Sequence, residues 1–408
     1  MNWKYVAWSA TIASSVFDMY VKYRQWRLLN KERILEHDDN RIRSQAFQKN
    51  NMVLGIVQKS TELLINSLLI CFNLHHKIWT ATSSTNNRLL RQLMFLGITE
   101  LIRALVQSSF EFYRKFVIEQ ASGVNKLTRT KFIVEQVLSV SFSTLFSLLV
   151  YAGLISIIER FGDTFPMVGS FFFMSAIVFF MSISPNIFWP MFYKFSPVPE
   201  GGLRNALQHL LEPRGFPTEQ VFMVNESDKT THSGAVIVGF SWNKSIVVYD
   251  SLVHKCSTKE VLAVICHEVG HWERSHLPKQ LLNQGAQIFI DFQLFVYLYQ
   301  SPQFYSAFGF SDMPIAFGLV AFSILTEPIQ IVFNIQKNYV SRICERQADI
   351  FAATLGFKDE LKSALFKVKR DTLRLVNTDW LYNLYSETHP TLQERQANLD
   401  SFSAVEVH

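Results

Sequence analysis

TFPMVGSFFFMSAIVFFMSISPNIFWPMFY, residues 164–193, runs for thirty residues between Asp163 and Lys194 without one charge. A helix needs about 20 apolar residues to cross the hydrocarbon core of a bilayer, so this stretch spans with residues to spare. Pro185 and Pro190 are expected to end or kink it on its C-terminal side. Residues 137–158, VLSVSFSTLFSLLVYAGLISII, form a second uncharged run of spanning length. Soluble core helices are seldom this long and charge-free, so the pair decides for an α-helical integral membrane protein. Composition agrees: 36 Phe and 14% aromatics stand against only 18% charge in 408 residues, which excludes disorder and a disulfide-knotted module. Cys71, Cys256, Cys266 and Cys344 form no CxxC pair, so a thiol zinc ribbon is excluded. A net charge of +5, from 39 basic and 34 acidic residues, gives no case for nucleic acid as a partner.

Five weaker runs flank these two. Residues 5–21 carry Asp18; 52–74 carry Lys59 and Glu62; 93–112 carry Glu100, Arg103 and Glu111; 280–299 carry Asp291; 313–335 carry Glu327. Each could be an amphipathic helix of a soluble domain or a span lining a polar cavity. Ionisable groups inside spans face a bundle interior or a water-filled cavity, and beside two strong spans the cavity reading is favoured. Seven spans result, and charge orients them. Segment 22–51 sets Lys22, Arg24, Arg27, Lys31, Arg33, Arg41, Arg43 and Lys49 against Glu32, Glu36, Asp38 and Asp39. The loop after the third run holds Arg114, Lys115, Lys126, Arg129 and Lys131. Excess Lys and Arg mark the cytoplasmic side, so the first, third and fifth loops and the C-terminus are expected there, with the N-terminus in the lumen. Lys4 alone precedes the first run, which suits an anchor better than a cleaved signal peptide. The expected organisation is spans one to five in 1–193, a cytosolic loop domain at 194–280, spans six and seven in 281–335, and a C-terminal cytosolic part at 336–408.

In the fifth loop, 235–240 and Ser245–Tyr249 read as strands around a turn at Trp242, Asn243 and Lys244. Ser257 and Glu260 make a capping box at the start of a helix. That helix holds His267-Glu268-Val269-Gly270-His271. Positions i and i+4 share a helix face, so both imidazoles can reach one metal ion, with Glu268 beside them to take a proton from the attacking water. Two solvent-facing histidines are the bland alternative. A catalytic zinc of this kind needs a third protein ligand. A histidine ten residues after the first would occupy position 277, which is Leu277; His276 is read as a surface residue. Glu345 on a later helix is the best candidate, and Asp349, four residues on, could brace a ligand imidazole. Ordinary surface charges paired with Arg342 and Arg346 are the alternative for both. Two crossings separate the HExxH helix from Glu345, so all three ligands return to one side. Cys266 and Cys344 point away and are read as packing residues.

HEVGHW, with SRICERQADIFA around Glu345, resembles the type 1 zinc-dependent CAAX prenyl proteases. The likeness extends to YKFSPVPEG, THSGAVIVGF, KSIVVYDSL, SAFGF and NTDWLY…HPTLQER, and so covers nearly the whole chain. It implies a seven-transmembrane-helix bundle enclosing a large chamber, capped by a mixed α/β zinc metalloprotease domain of gluzincin type. It implies one Zn2+ held by His267, His271 and Glu345, with Glu268 as general base and Asp349 in support. His389 and Arg395 would hydrogen-bond the peptide and the developing oxyanion; a helix cap and a surface Arg are the alternatives. The strand Ala235, Val236, Ile237 and Val238 would pair with substrate backbone. Gly234 stands where the family often has Asn, which removes a side-chain hydrogen bond there.

The activity so implied is removal of the last three residues from isoprenylated CAAX proteins at the endoplasmic reticulum and inner nuclear membranes, in contact with lipid, with the zinc site cytosolic. A membrane quality-control zinc protease would use the same site, and a non-catalytic membrane chaperone is a third reading. The sequons at Asn225 and Asn243 are expected to be bare if the fifth loop is cytosolic.

Overall fold

The computed structural model describes residues 2–32, 39–216, 218–225, 234–240, 244–374 and 377–402. Helix α1 (Trp3–Lys31) lies along α2 (Asp39–Cys71), which breaks at Asn73 before the short α3 (Leu74–Ala81). Helix α4 (Arg88–Tyr113) continues into a π-helical turn, Arg114–Glu119. Helices α5 (Arg129–Phe161) and α6 (Phe165–Phe192) fold back on each other at Gly162, whose φ of +52° suits glycine, and Gly153 lets Phe172 of α6 pack against α5. Among the described residues, Asp39–Cys71 and Arg129–Ile187 are long and apolar enough to cross a membrane.

Pro185 and Pro190 do not end α6; both lie inside it. Each proline removes one i→i−4 bond, and a long membrane helix tolerates the gap because neighbouring groups and local adjustments re-satisfy the freed carbonyls. The last apolar run is not one straight span either. It divides into α12 (Ile315–Leu325) and α13 (Glu327–Thr354), bent by 64°. Pro328 has no amide to give the Ile324 carbonyl, so the α12 ladder stops there, and the Phe322 carbonyl accepts from both the amide and the hydroxyl of Thr326 (2.9 Å each).

The zinc-loop segment forms a four-stranded sheet, in order β1-β2-β4-β3, among the described residues. Its strands are β1 (Phe195–Pro197), β2 (Val221–Val224), β3 (Ala235–Val238) and β4 (Ser245–Tyr249). Strand β3 runs antiparallel to β4 at the sheet edge, as two strands around a short turn imply. Helix α7 (Gly202–Leu211) lies between β1 and β2, α8 (Asp250–Lys255) and α9 (Thr258–Glu273) follow β4, and the predicted capping box at Ser257 and Glu260 is formed. The turn residues Trp242 and Asn243, and Glu226 and Ser227 of the other sequon, lie outside the described residues.

Helix α10 (His276–Tyr299) leads through α11 (Pro302–Ala307) to α12, and α13 continues into α14 (Lys358–Asp371), α15 (Trp380–Ser386) and α16 (Leu392–Ser401). Val221, Ile246, Val248, Val261 and Ile265 share one core with Ala364 of α14. Segments 194–280 and 336–402 are therefore one folded unit, closed from α14 by Lys367, which donates to Glu260 (2.7 Å). A second core, around Phe95, Phe165, Phe295 and Phe317, holds the helical bundle.

Several ionisable residues of the weak runs face inward. Asp18, Lys22, Lys59 and Glu62 line a cavity of about 800 Å³ that also reaches Arg114, Arg374, His389 and Arg395. Glu327 accepts from Ser14 (2.6 Å) and Asp291 from Gln330 (3.0 Å). Outward faces are apolar: Leu149, Phe171 and Tyr297 are 64%, 77% and 80% exposed. Exposed apolar surface on this scale is the signature of contact with hydrocarbon.

Candidate metal centre

Helices α9 and α13 must come unusually close for residues 267–271 to meet residue 345. Gly270 allows it: a Cβ there would lie 3.0 Å from Phe351 Cβ and 3.1 Å from the Ala348 backbone. Cys266 packs at the same interface with Ala352 and Ala353, the packing role expected of it. Gly270→Leu should force the helices apart, at a cost of about 1–3 kcal/mol from overpacking, and weaken metal binding together with stability. Thermal unfolding and zinc competition check this. Unchanged zinc affinity would show that the close approach is not what assembles the site.

His267, His271 and Glu345 converge as the sequence predicts. The two Nε2 atoms are 3.2 Å apart; His271 Nε2 lies 3.4 Å from Glu345 Oε1, and His267 Nε2 lies 3.5 Å from Glu345 Oε2. Ligands about 2.0–2.1 Å from a tetrahedral zinc stand roughly 3.3 Å from each other, so the triangle has the right size. Glu345 Oε2 is buried and has no aligned hydrogen bond, although His389 Nδ1 lies 2.9 Å away. A buried oxygen of this kind calls for a further partner, and a divalent cation fits. Burial opposes charge on Glu345, but contacts from His267, His271 and His389 hold its pKa well below the usual carboxylate value. Glu268 is half-buried beside the triangle. Burial raises its pKa above the usual carboxylate value, and the Ile237 backbone on β3 is within hydrogen-bonding reach.

Behind the triangle, His267 Nδ1 lies 2.9 Å from Asp349 Oδ1. An ionised Asp only accepts, so a neutral His267 ring paired with it carries its proton on Nδ1 and keeps the Nε2 lone pair, with Arg395 Nη2 also 3.3 Å from Nδ1. Arg395 is only 6% exposed, not a surface residue, and its Nε donates to Asp349 Oδ2 (2.8 Å) while Nη2 reaches Oδ1. The Arg395 fork is thus committed to Asp349, and Nη1 stands 3.5 Å from Glu345 Oε2. The His389 side chain is 52% exposed at the mouth of the inner cavity. Among the described residues β3 is the edge strand of the sheet, and it lies on the Glu268 side. At Gly234 a Cβ would meet nothing closer than a Tyr249 ring carbon at 3.9 Å, so the position has room for a larger residue.

His276 departs from expectation. It is 2% exposed, not a surface residue, and its Nδ1 lies 2.9 Å from His271 Nδ1. Burial lowers its pKa to about 4, which keeps the ring neutral. No periodicity signals this contact, because His276 lies five residues past His271, across a helix break. Ser275, at a left-handed φ of +53°, makes the turn that brings it back. Gln347, its other partner, lies between Glu345 and Asp349 on α13, inside the SRICERQADIFA segment, where the sequence reading gives it no role.

A helical membrane bundle with an HExxH helix set beside a glutamate-bearing helix defines a membrane-embedded metalloprotease. A family model described as Peptidase family M48 matches residues 197–403, and one described as CAAX prenyl protease N-terminal, five membrane helices, matches residues 34–194. The chain belongs to peptidase family M48, a family of zinc-dependent metallopeptidases. It is 29% identical to CAAX prenyl protease 1 of Saccharomyces cerevisiae over 98% of this chain and 96% of that one. It is 31% identical to the CAAX prenyl protease 1 homolog of Arabidopsis thaliana over 88% and 87%. The crystal structure of S. mikatae Ste24p superimposes with a TM-score of 0.91 at 29% identity, covering 98% of this chain and 99% of that one.

Proposed function

We propose that this metalloprotease removes the C-terminal tripeptide from isoprenylated CAAX proteins, with one Zn2+ per chain held by His267, His271 and Glu345. The observation that carries the reading is an apolar cavity of about 390 Å³, shared by the membrane helix and the site. Phe180, Met181, Pro185 and Trp189 of α6 face Ile237 and Val238 of β3 across it, and Glu268 and His271 line its end. An isoprenoid can lie against α6 with its cysteine beside Glu268. The cavity containing His389 and Arg395 then lies ahead for the three leaving residues.

When bound, the metal supplies Lewis acidity, lowering the pKa of water and polarising the scissile carbonyl. Glu268 takes the proton from the attacking water and returns it to the leaving amine. The edge strand β3, residues Ala235–Val238, pairs with the substrate backbone, and Gly234 offers no side-chain contact there. His389, the exposed imidazole, hydrogen-bonds the peptide or the developing oxyanion. Arg395 adds positive charge through Nη1 and holds Asp349, which holds His267. The excess of Lys and Arg in the loops supports a site on the cytosolic side, and residence in the endoplasmic reticulum or inner nuclear membrane follows from the family resemblance.

Matched farnesylated and unprenylated CAAX peptides, offered to purified protein in detergent, test the substrate. Each buried CH2 contributes about 0.8 kcal/mol, so two methylenes seated in the α6 cavity give a roughly tenfold preference in kcat/KM. Equal cleavage of both peptides would favour quality-control proteolysis of unfolded chains, for which the apolar cavity has no specific use.

A further inference from the structure

His276 and Gln347 connect to the metal triad through a chain of hydrogen bonds whose roles follow one from another once the Gln347 amide is oriented. The Gln347 amide oxygen, Oε1, lies 2.9 Å from His276 Nε2. A carbonyl oxygen only accepts, so Nε2 carries the hydrogen. A neutral imidazole has one N–H, so His276 Nδ1 keeps its lone pair. That lone pair faces His271 Nδ1 at 2.9 Å, which must therefore be the donor. His271 has then used its single proton on Nδ1. Its Nε2 is left with a free lone pair, and this is the atom 3.2 Å from His267 Nε2 and 3.4 Å from Glu345 Oε1. Reversing the Gln347 amide reverses every role and puts a proton on His271 Nε2, pointing at the place a metal must occupy.

We propose that Gln347 and His276 are positioning residues that select the metal-binding tautomer of His271. Asp349 does the same for His267 from the other side. The two imidazoles are thus set by different means: one by a charged acceptor, the other by a neutral relay that adds no charge to a site already holding Glu268, Glu345 and Asp349. The backbone is bent to serve the relay. Ser275 adopts a left-handed conformation that residues other than glycine rarely take, and so returns the first residue of α10 onto the last turn of α9. Helix α13 supplies Glu345, Gln347 and Asp349, one to the triangle and one behind each histidine.

The inference rests on the triad as the zinc site but not on the identity of the substrate, so its test reads metal affinity. Zinc competition against a chromophoric chelator is measured on the purified full chain in detergent, with His267→Ala as the control that removes a ligand. Loss of an imidazole's hydrogen-bonding partner typically costs 10–100-fold in metal affinity, and His276→Ala is expected in that range. His276→Asn should stay within about threefold of the parent, because its Oδ1 takes the place of Nδ1 as acceptor. Gln347→Met, close in volume, should weaken binding about tenfold. The double variant His276→Ala/Gln347→Met should bind no more weakly than His276→Ala alone, since the two act in series. Parental affinity in His276→Ala, or a double variant equal to the product of the singles, would overturn the relay. If His276→Ala does not fold, His276→Asn and Gln347→Met decide, the first retaining affinity and the second losing it. If His267→Ala retains parental affinity, the triad reading fails and the relay falls with it.

Discussion

Glu268→Gln is expected to lower kcat by about 10²–10⁴-fold while leaving zinc bound. The two halves of that result have separate structural reasons. Glu268 contributes no atom to the triangle of His267, His271 and Glu345, so the metal does not need it. Glutamine keeps the shape and the ability to accept from the Ile237 backbone, but it cannot take a proton. The lost function is therefore the proton transfer alone. Steady-state cleavage of the farnesylated peptide, with zinc per chain from elemental analysis, checks both halves. Should the Gln variant keep more than about a tenth of kcat, the proton goes elsewhere, and His389, half-exposed and 2.9 Å from Glu345 Oε2, is the group in position to accept it. Should zinc be lost with activity, Glu268 supports the metal site and its catalytic assignment fails.

Much of this centre could be read before any coordinates, because helical periodicity and membrane parity are local rules with long reach. An i,i+4 spacing puts His267 and His271 on one face, and the same spacing puts Asp349 beside Glu345. The two crossings expected between them, runs 280–299 and 313–335, return residue 345 to the side where residue 267 lies. What periodicity cannot give is the identity of the neighbour across an interface. Arg395 lies 46 residues from Asp349, on a helix whose pattern looks solvated, and only the packing of α16 on α13 buries it. His276 follows a helix break, where angular bookkeeping restarts, so its return to His271 depends on one left-handed residue. Of the two outcomes expected at Pro185 and Pro190, an end or a kink, the first does not occur at either, since the helix continues to Phe192. The bend at Thr326 has its signal in Pro328, which lies inside the run 313–335 and cannot donate to the preceding turn, although by hydropathy the run reads as one straight span. The inward aim of Asp18, Lys59 and Glu62 was legible, since a charge within an apolar run has few other places to go.

Arg395→Met is the second large effect, and it separates folding from metal binding. Asp349 is fully buried, and Arg395 and His267 are the partners that neutralise it. Removing one member of a buried ion pair leaves an uncompensated charge and costs about 3–5 kcal/mol. Lysine does not rescue it, because one ammonium cannot reproduce the fork that meets both Asp349 oxygens. Replacing both members by apolar residues, as in Arg395→Met/Asp349→Leu, removes the charge instead of stranding it, and such swaps are often neutral or better for stability. The double variant should therefore recover most of the lost stability in metal-free thermal unfolding. It should not recover zinc. Leucine cannot accept from His267 Nδ1, so the ring loses the partner that fixes its tautomer, and affinity should stay 10–100-fold below the parent. A double variant that regains both properties would show that Asp349 serves only to neutralise Arg395. One that regains neither would show that the pair is needed for packing. Stability regained without zinc is the result that assigns Asp349 to the metal and Arg395 to Asp349.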